Sequence, residues 1–297
     1  MLKSLRILWD FGRPHTVIAS FISITTLYLL VVSGADLWDY LSIYVFTLVS
    51  ALGCNVFITG LNQRTDVELD KENKAFLPIA RGDLSIERAQ MIIWVALGIC
   101  LLFASLVSWW MLGIMALIAA IGYAYSAPPI RLKKHHLPAA LSIVVVRGVL
   151  VNLGIGWILE YIITGNWGQV DALIPLTIFV SAYSFAIAWF KDLYDVKGDK
   201  QHQIKTLPVL YSISAAFRYG SGLVIAAYIA TLVYALQYMA EGKVYIMVAH
   251  GVLLTLFLIH VLRANISARE GIYRFYMRFW VFFFAEYAVF MGYGILL

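Results

Sequence analysis

Nine apolar stretches, set apart by connections of alternating charge, constrain this chain more than any single motif does. The expected spans are about 14–33, 39–61, 86–108, 111–127, 138–160, 172–191, 212–236, 243–262 and 277–296, with a tight turn at Trp109-Trp110. Each is near the roughly 20 residues needed to cross a bilayer. Charged residues make up 13% of the chain, against about 25% in a soluble domain. The expected fold class is all-α, an integral membrane protein of nine transmembrane helices.

Alternating the spans sends every Lys and Arg except Arg147 and Lys243 to one side. That side collects Lys3, Arg6 and Arg13; Arg64, Lys71, Lys74, Arg81 and Arg88; Arg131, Lys133 and Lys134; Lys191, Lys197, Lys200, Lys205 and Arg218; and Arg263, Arg269, Arg274 and Arg278. The other side holds Lys243 with Asp36, Asp39, Glu160, Asp171 and Glu241. The positive-inside rule then puts the N-terminus in the cytoplasm and the C-terminus outside. One crossing more or fewer would scramble the separation. The net charge of +5 follows from this topology and from anionic lipid headgroups, so it needs no nucleic-acid partner. Residues 1–13 are basic, but the stretch behind them is long enough to span, and no cleavable signal peptide is expected. Cys54 and Cys100 fall inside spans, where free buried thiols are expected.

Long polar connections at 62–85, 192–211 and 263–276 lie on the basic side, which concentrates function there. Two of them carry acid clusters that echo one another about 130 residues apart. The first reads Asn62-Gln-Arg-Thr-Asp66-Val-Glu-Leu-Asp70, the second Asp192-Leu-Tyr-Asp195-Val-Lys-Gly-Asp199. Each continues with Lys (Lys71, Lys200) and then Leu-Pro (Leu77-Pro78, Leu207-Pro208). The chain is expected to be one domain over 1–297, with two pseudo-related halves, about 1–130 and 131–297, meeting at a shared site.

If each cluster prolongs the helix before it, Asn62, Asp66 and Asp70 share one stripe, with Asn55 near it, and Asp192, Asp195 and Asp199 share a face. Stacked carboxylates repel by about a few tenths of a kcal/mol per exposed pair, so a compensating cation is expected. Mg²⁺ takes oxygen ligands and commonly binds through one or two carboxylates plus substrate phosphates. The bland alternative is solvated helix caps at the bilayer surface; two matching clusters on one side argue against it. Nearby Arg64, Lys74, Arg81, Lys133, Lys191 and Lys205 are candidate partners for a diphosphate.

Arg147 falls near the middle of the fifth span, where an unpaired charge is costly. It is expected either to line a cavity near the polar end of a substrate or to form a structural lock with Glu286. Asn152 and Asn55 are possible neighbours. His250 and His260 read as packing residues, and His135, His136 and His202 as loop residues, none at metal-site spacing. Tyr123, Tyr125, Tyr183, Trp189, Phe190 and Tyr194 lie near span ends on the basic side. A few could shield an allylic cation, a contact worth about 0.5–2 kcal/mol per π face.

Several segments, taken in order, carry a family resemblance. They are Arg13-Pro14-His15-Thr16; Gly60-Leu61-Asn62-Gln63 through Asp66-Val67 and Asp70; Asn73-Lys74 with Leu77-Pro78 and Gly82-Asp83; Tyr125-Ser-Ala-Pro-Pro-Ile-Arg131-Leu-Lys133; Val146-Arg147-Gly148 with Val151-Asn152-Leu153-Gly154; and Phe190-Lys191-Asp192 through Asp195 and Gly198-Asp199. Together they resemble the UbiA-type superfamily of intramembrane aromatic prenyltransferases. The Arg-Gly-x3-Asn-x-Gly and Lys-Asp-x2-Asp-x2-Gly-Asp elements resemble its homogentisate branch, which transfers phytyl, geranylgeranyl or solanesyl groups.

The resemblance implies nine helices around a central cavity, with both clusters at its cytoplasmic mouth. It also implies Mg²⁺-dependent ionisation of a polyprenyl diphosphate and capture of the cation by an aromatic acid, for homogentisate with loss of CO2. Carried over by position, Asn62, Asp66, Asp70, Asp195 and Asp199 would hold Mg²⁺ and diphosphate, and Asp192 would join them or orient Lys191. Arg13, Lys133 and Arg147 would contact an anion or the aromatic acid; Asn55, Arg64, Lys74, Tyr125, Asn152 and Lys191 complete the expected substrate-binding set. Arg64-Thr65, Leu193-Tyr194 and Arg81 depart from the branch pattern but spare the acids, so they bear on acceptor and chain length. The chlorophyll-synthase run is absent where the chain reads Asn73-Lys-Ala-Phe-Leu-Pro78. Alternatives are another acceptor (4-hydroxybenzoate or chlorophyllide) or a transporter, whose acids would lie deeper in the spans. A CDP-alcohol phosphatidyltransferase would need an Asp-Gly signature, and no Asp-Gly occurs. The lack of a transit-like extension leads to the expectation of a bacterial inner or internal membrane.

Overall fold

The computed structural model describes residues 2–32, 37–239 and 241–296. Asp36, placed above in a connection on the less basic side, lies outside them, as does the side chain of Lys3. Among the described residues there is no β-strand, and nine helices are long and apolar enough to cross a membrane by length and composition. They are α1 (Pro14–Val32), α2 (Leu41–Thr65), α3 (Ile86–Val107), α4 (Trp109–Ser126), α5 (His136–Thr164), α6 (Leu173–Phe190), α7 (Ile213–Tyr238), α8 (Lys243–Leu262) and α9 (Arg269–Leu296).

Local chemistry sets many of the ends. Ser85, Ser108 and Ser212 cap α3, α4 and α7, each hydroxyl accepting from the backbone N–H three residues on. Ser108 alone, extended at φ −173°, separates α3 from α4, so the tight turn falls just before Trp109-Trp110. Pro78 and Pro208 sit in the first turns of short helices Pro78–Arg81 and Leu207–Leu210, where proline's missing N–H would have no helical partner anyway. The repeated Leu-Pro of the sequence is thus a repeated helix start.

Helices α5 and α9 depart most in length from their apolar stretches. Helix α9 begins at Arg269 rather than near 277, because its polar first turns are anchored: Ile272, Phe275 and Tyr276 are buried, and Arg269 donates to the Asn73 carbonyl at 3.1 Å. Helix α5 contains a π-helical segment, Val144–Ile155, wider than an α-helix and commonly found at functional sites.

Of the two alternatives for Arg147, the lock with Glu286 does not form, and the side chain lines a cavity instead. Glu286 is buried and meets His250 Nε2 at 2.7 Å across α8 and α9. His250 is therefore the packing residue expected, and the imidazole satisfies one carboxylate oxygen that Arg147 was expected to take. His260 likewise packs, stacked on Phe275 at 4.5 Å. Cys54 and Cys100 are free and buried.

Helices α1, α2, α4, α5, α6 and α9 surround a cavity of about 670 Å³. At one end, its mouth, lie the connections after α2, α4 and α6. At the far end, Glu160 near the end of α5 accepts from the N–H groups of Gly168, Gln169 and Val170 at 2.9, 2.5 and 2.8 Å. That carboxylate folds the connection to α6 over the bundle.

Candidate active site

Both acid clusters break from the helices that lead into them, so neither forms the straight stripe expected. Helix α2 ends at Thr65; Asp66, at φ −118° and ψ 22°, joins it to a short helix, Val67–Asn73. After α6 the chain turns through residues 191–195 and Asp195 leads into Val196–Gln201. Each break is followed by the same bond: Asp70 N–H to the Asp66 carbonyl at 2.7 Å, Asp199 N–H to the Asp195 carbonyl at 3.0 Å. The turns fold the carboxylates back over the cavity instead of letting them project outward.

The breaks bring the clusters together. Lys74 Nζ lies 2.5 Å from Asp195 Oδ2, and Asn73 Nδ2 donates to the Asp195 carbonyl at 3.4 Å. Gly198 permits this approach, since a Cβ there would come within 2.4 Å of Asn73 Oδ1. Asp66, Asp70, Asp195 and Asp199 are only 6%, 2%, 4% and 5% exposed, which rules out solvated surface caps. With Asn62 and Asp192 they line the cavity mouth.

Three of the acids, Asp66, Asp192 and Asp195, are paired with protein cations. Asp66 accepts from Lys133 Nζ at 2.6 Å and from Arg131 Nη2 at 2.7 Å. Lys191 Nζ donates to the Tyr125 hydroxyl at 2.5 Å and sits 3.7 Å from Asp192 Oδ1. Arg13 Nη2 donates to Asn62 Oδ1 at 3.0 Å, and Asn55 Nδ2 to the Gly12 carbonyl at 3.0 Å. Thr206 donates to Asp199 Oδ2 at 3.2 Å. Arg13 and Arg131 hold left-handed backbone, φ 57° and 43°, a conformation that costs a non-glycine residue on the order of 1 kcal/mol. Both arginines donate into the site.

Burial, opposed mainly by Lys74, raises the Asp70 carboxyl to about 6. Burial opposed by Lys191 raises Asp192 to about 6, and burial with the neighbouring Asp192 and Asp195 charges raises Asp199 to about 7. Burial pushes the Lys133 ammonium down to about 8 against the pull of Asp66. For Lys74 burial is the largest effect and works against the charge, but Asp195, Tyr194 and Asp70 together outweigh it and its pKa rises. The mouth stores negative charge under strain that an added cation would relieve.

The expected substrate-binding residues divide. Arg13, Asn55, Lys74, Tyr125, Lys133, Arg147 and Lys191 line the cavity, as does Arg81 on its rim. Arg64 does not: the break at Asp66 leaves it exposed beside a shallow groove with Arg131 and His202. Lys205 is tied by its backbone to Lys134 and His136 and does not line the cavity, although its neighbours Ile204 and Thr206 do. Asn152 is buried behind the wall, its amide donating to the Arg147 and Gly148 carbonyls at 2.7 and 2.9 Å. Among the aromatic candidates, Tyr125 and Tyr194 reach the cavity, whereas Tyr123, Tyr183, Trp189 and Phe190 do not.

Sequence reasoning missed two features. Arg131 holds Asp66, a role that neither its place on the basic side nor its place in the resembling segment assigns to it. The aromatic wall comes from α9, where Tyr273, Tyr276, Trp280, Phe283 and Tyr287 face the cavity. Their helical spacing was the available signal.

Among the described residues no three His, Cys, Asp or Glu side chains are already gathered as a metal site. The donors nevertheless suit Mg²⁺: they are all oxygens, and Asp70 Oδ2 and Asp195 Oδ1 are buried without a partner. Residues able to hold such an ion are Asn62, Asp66, Asp70, Asp195 and Asp199.

Residues 19–283 match a family described as the UbiA prenyltransferase family. The homogentisate phytyltransferase of Synechocystis sp. (strain ATCC 27184 / PCC 6803 / Kazusa) is 32% identical over 97% of this chain and 96% of its own. The homogentisate geranylgeranyltransferase of Hordeum vulgare is 32% identical over 97% of this chain and 72% of its own. A solved UbiA homolog from Archaeoglobus fulgidus, bound to GPP and Mg²⁺, superimposes with a TM-score of 0.64 at 16% identity, covering 98% of each chain.

Proposed function

The chain belongs to the UbiA prenyltransferase family, and from that premise we propose that it transfers a polyprenyl group from an allylic prenyl diphosphate to homogentisate, with loss of CO2. It is an integral, multi-pass membrane protein, and the reading places its N-terminus and cavity mouth on the cytoplasmic side of a bacterial inner or internal membrane. Two halves, about 1–130 and 131–297, each bring one acid cluster. The observation that carries the reading is the Lys74–Asp195 contact, at 2.5 Å, which joins the two clusters over one cavity.

In this reading Asn62, Asp66, Asp70, Asp195 and Asp199 hold Mg²⁺ against the diphosphate, and Asp192 orients Lys191. Bound Mg²⁺ supplies neutralisation of the charge that grows on the leaving group. Lys74, Lys133, Lys191 and Arg13 add charge-assisted hydrogen bonds to phosphate oxygens. Arg131 holds the Asp66 carboxylate in place. The prenyl tail lies along the apolar wall of Ile118, Ile121 and Ile187. The α9 aromatics keep water from the allylic cation and turn π faces toward it.

The bond from the prenyl carbon to diphosphate oxygen breaks, and that carbon bonds to a ring carbon of the acceptor. The ring carbon gives up its proton. The side-chain carboxyl leaves as CO2, its bonding pair staying on the benzylic carbon, which takes up one proton. Net proton count is unchanged.

The test is purified protein in liposomes with geranylgeranyl, phytyl and solanesyl diphosphates against homogentisate and 4-hydroxybenzoate, with Mg²⁺ or EDTA. The expected result is Mg²⁺-dependent prenylation of homogentisate with release of carboxyl-labelled CO2. Transfer to 4-hydroxybenzoate alone, or transfer undiminished in EDTA, contradicts the reading.

A further inference from the structure

The inner part of the cavity holds a cation that the transfer described above leaves unused. Arg147 lies in the π-helical part of α5 and lines the cavity. Its guanidinium carbon is 4.9 Å from the Trp280 ring centroid and 5.5 Å from that of Phe283. Nη1 is shut off from solvent and has no hydrogen-bond partner among the described residues. Placing Arg at a helix centre costs about 2.5–3.5 kcal/mol by insertion scales, and an aromatic face returns about 0.5–2 kcal/mol. Glu286, the counter-charge considered from the sequence, belongs to His250. The guanidinium is left short of an anion.

The backbone under Arg147 is held on two sides. Gly148 lets α5 press against α6, where a Cβ would meet Ser181 Oγ at 2.3 Å. On the other side Tyr287 of α9 donates to Asn152 Oδ1 at 2.7 Å, and Asn152 donates on to the Arg147 carbonyl at 2.7 Å. A side chain left without a partner on a backbone so firmly fixed is a built receptor.

Its chemistry selects the ligand. A guanidinium fork fits a carboxylate by two parallel bonds, and the flanking Trp280, Phe283 and Tyr287 fit a flat ring. His15, with its ring 4.8 Å from that of Trp280, stands within electrostatic reach of both Arg13 and Arg147. It therefore stands near one cation of the mouth, which serves the diphosphate, as well as the deeper one. We infer that Arg147 binds the carboxylate of the aromatic acceptor and makes the enzyme select a ring that bears one over the same ring without it. Asn152, Gly148 and Tyr287 are positioning residues for that guanidinium. The inference rests on the reading that an aromatic acceptor enters this cavity, but not on homogentisate being that acceptor.

The experiment compares homogentisate with its methyl ester and with methylhydroquinone, by calorimetric binding and by steady-state transfer, in the full chain. Wild type is expected to prefer the acid. Arg147→Gln should raise KM for the acid about 10- to 100-fold, the size of a lost charge-assisted hydrogen bond, and abolish the preference over the ester. Arg147→Lys should recover part of it. Thermal stabilisation by Mg²⁺ and geranylgeranyl thiolodiphosphate should survive in both variants, which also shows that they fold. A wild type indifferent to acid or ester overturns the inference whatever the variants do. So does an unchanged acid KM in Arg147→Gln. If wild type uses 4-hydroxybenzoate in place of homogentisate, the proposed acceptor falls, and the same acid–ester comparison on 4-hydroxybenzoate decides the role of Arg147.

Discussion

The two ends of the bundle treat buried acid in opposite ways. At the far end the Glu160 carboxylate takes three backbone N–H groups of its own connection. At the mouth, Asp66, Asp192 and Asp195 take up Lys74, Arg131, Lys133 and Lys191, and among the described residues Asp70 Oδ2 and Asp195 Oδ1 still lack partners. The first is a satisfied group that fixes a fold. The second is a set held short of satisfaction, with its remaining capacity facing a cavity. Buried charge marks function where it is incomplete and reachable, and structure where its bonds are filled.

The largest effect that would break this contrast lies at the mouth. Asp66→Asn and Asp195→Asn should each lower prenyl transfer by at least about 100-fold, since even outer-sphere changes at metal sites cost about 10- to 100-fold. Both proteins should keep wild-type helical circular dichroism. Near-normal turnover in both would show that the mouth acids are as structural as Glu160. Next comes Lys133→Gln, which removes one cation from Asp66 and one from the proposed diphosphate. A donor KM raised about tenfold is expected, from about 1.5 kcal/mol for a hydrogen bond to a charged group; an unchanged donor KM would confine Lys133 to the folded scaffold.

At the far end the sign reverses. Glu160→Gln replaces an acceptor-only carboxylate with an amide whose NH2 faces donors. Stability should fall by about 1–3 kcal/mol, read as a lower melting temperature, while kcat at moderate temperature stays at the wild-type value. Loss of activity without loss of stability would put Glu160 in the machinery.

The smallest effect is a pH dependence. Asp70, Asp192 and Asp199 have folded values near 6, 6 and 7 against an ordinary 3.8. Raised values mean that their stabilising contribution is complete below about pH 4 and is lost as pH rises through 6 to 7. Because Mg²⁺ binds the deprotonated form, its thermal stabilisation should be larger at pH 8 than at pH 5.5. An equal or smaller shift at pH 8 would detach these acids from the metal.

Much of the fold was legible because lipid imposes two readable constraints, apolar length and charge side. All nine spans fall within the helices found or overlap them closely. Departures arose where the polar chain outside the spans makes its own structure. Nothing in Asn62–Asp70 announces the break at Asp66, so Arg64 was grouped with acids from which the break turns it away. Asn152 was counted as a lining residue since an amide in a span needs a partner; its partners are its own helix and Tyr287 of α9. The α9 aromatics were visible as residues but were overshadowed by interfacial belts, which carry the same residue types. Convergence of the two clusters was read from their echo, and the Asn73–Gly198 approach shows the packing that permits it.

The most direct test is a structure of the protein in lipid nanodiscs with Mn²⁺ and geranylgeranyl thiolodiphosphate. Metal density should lie between the diphosphate and both aspartate groups, Asp66 and Asp70 on one side and Asp195 and Asp199 on the other. Density confined to one group, or diphosphate lying in the groove beside Arg64 and His202, would contradict the account.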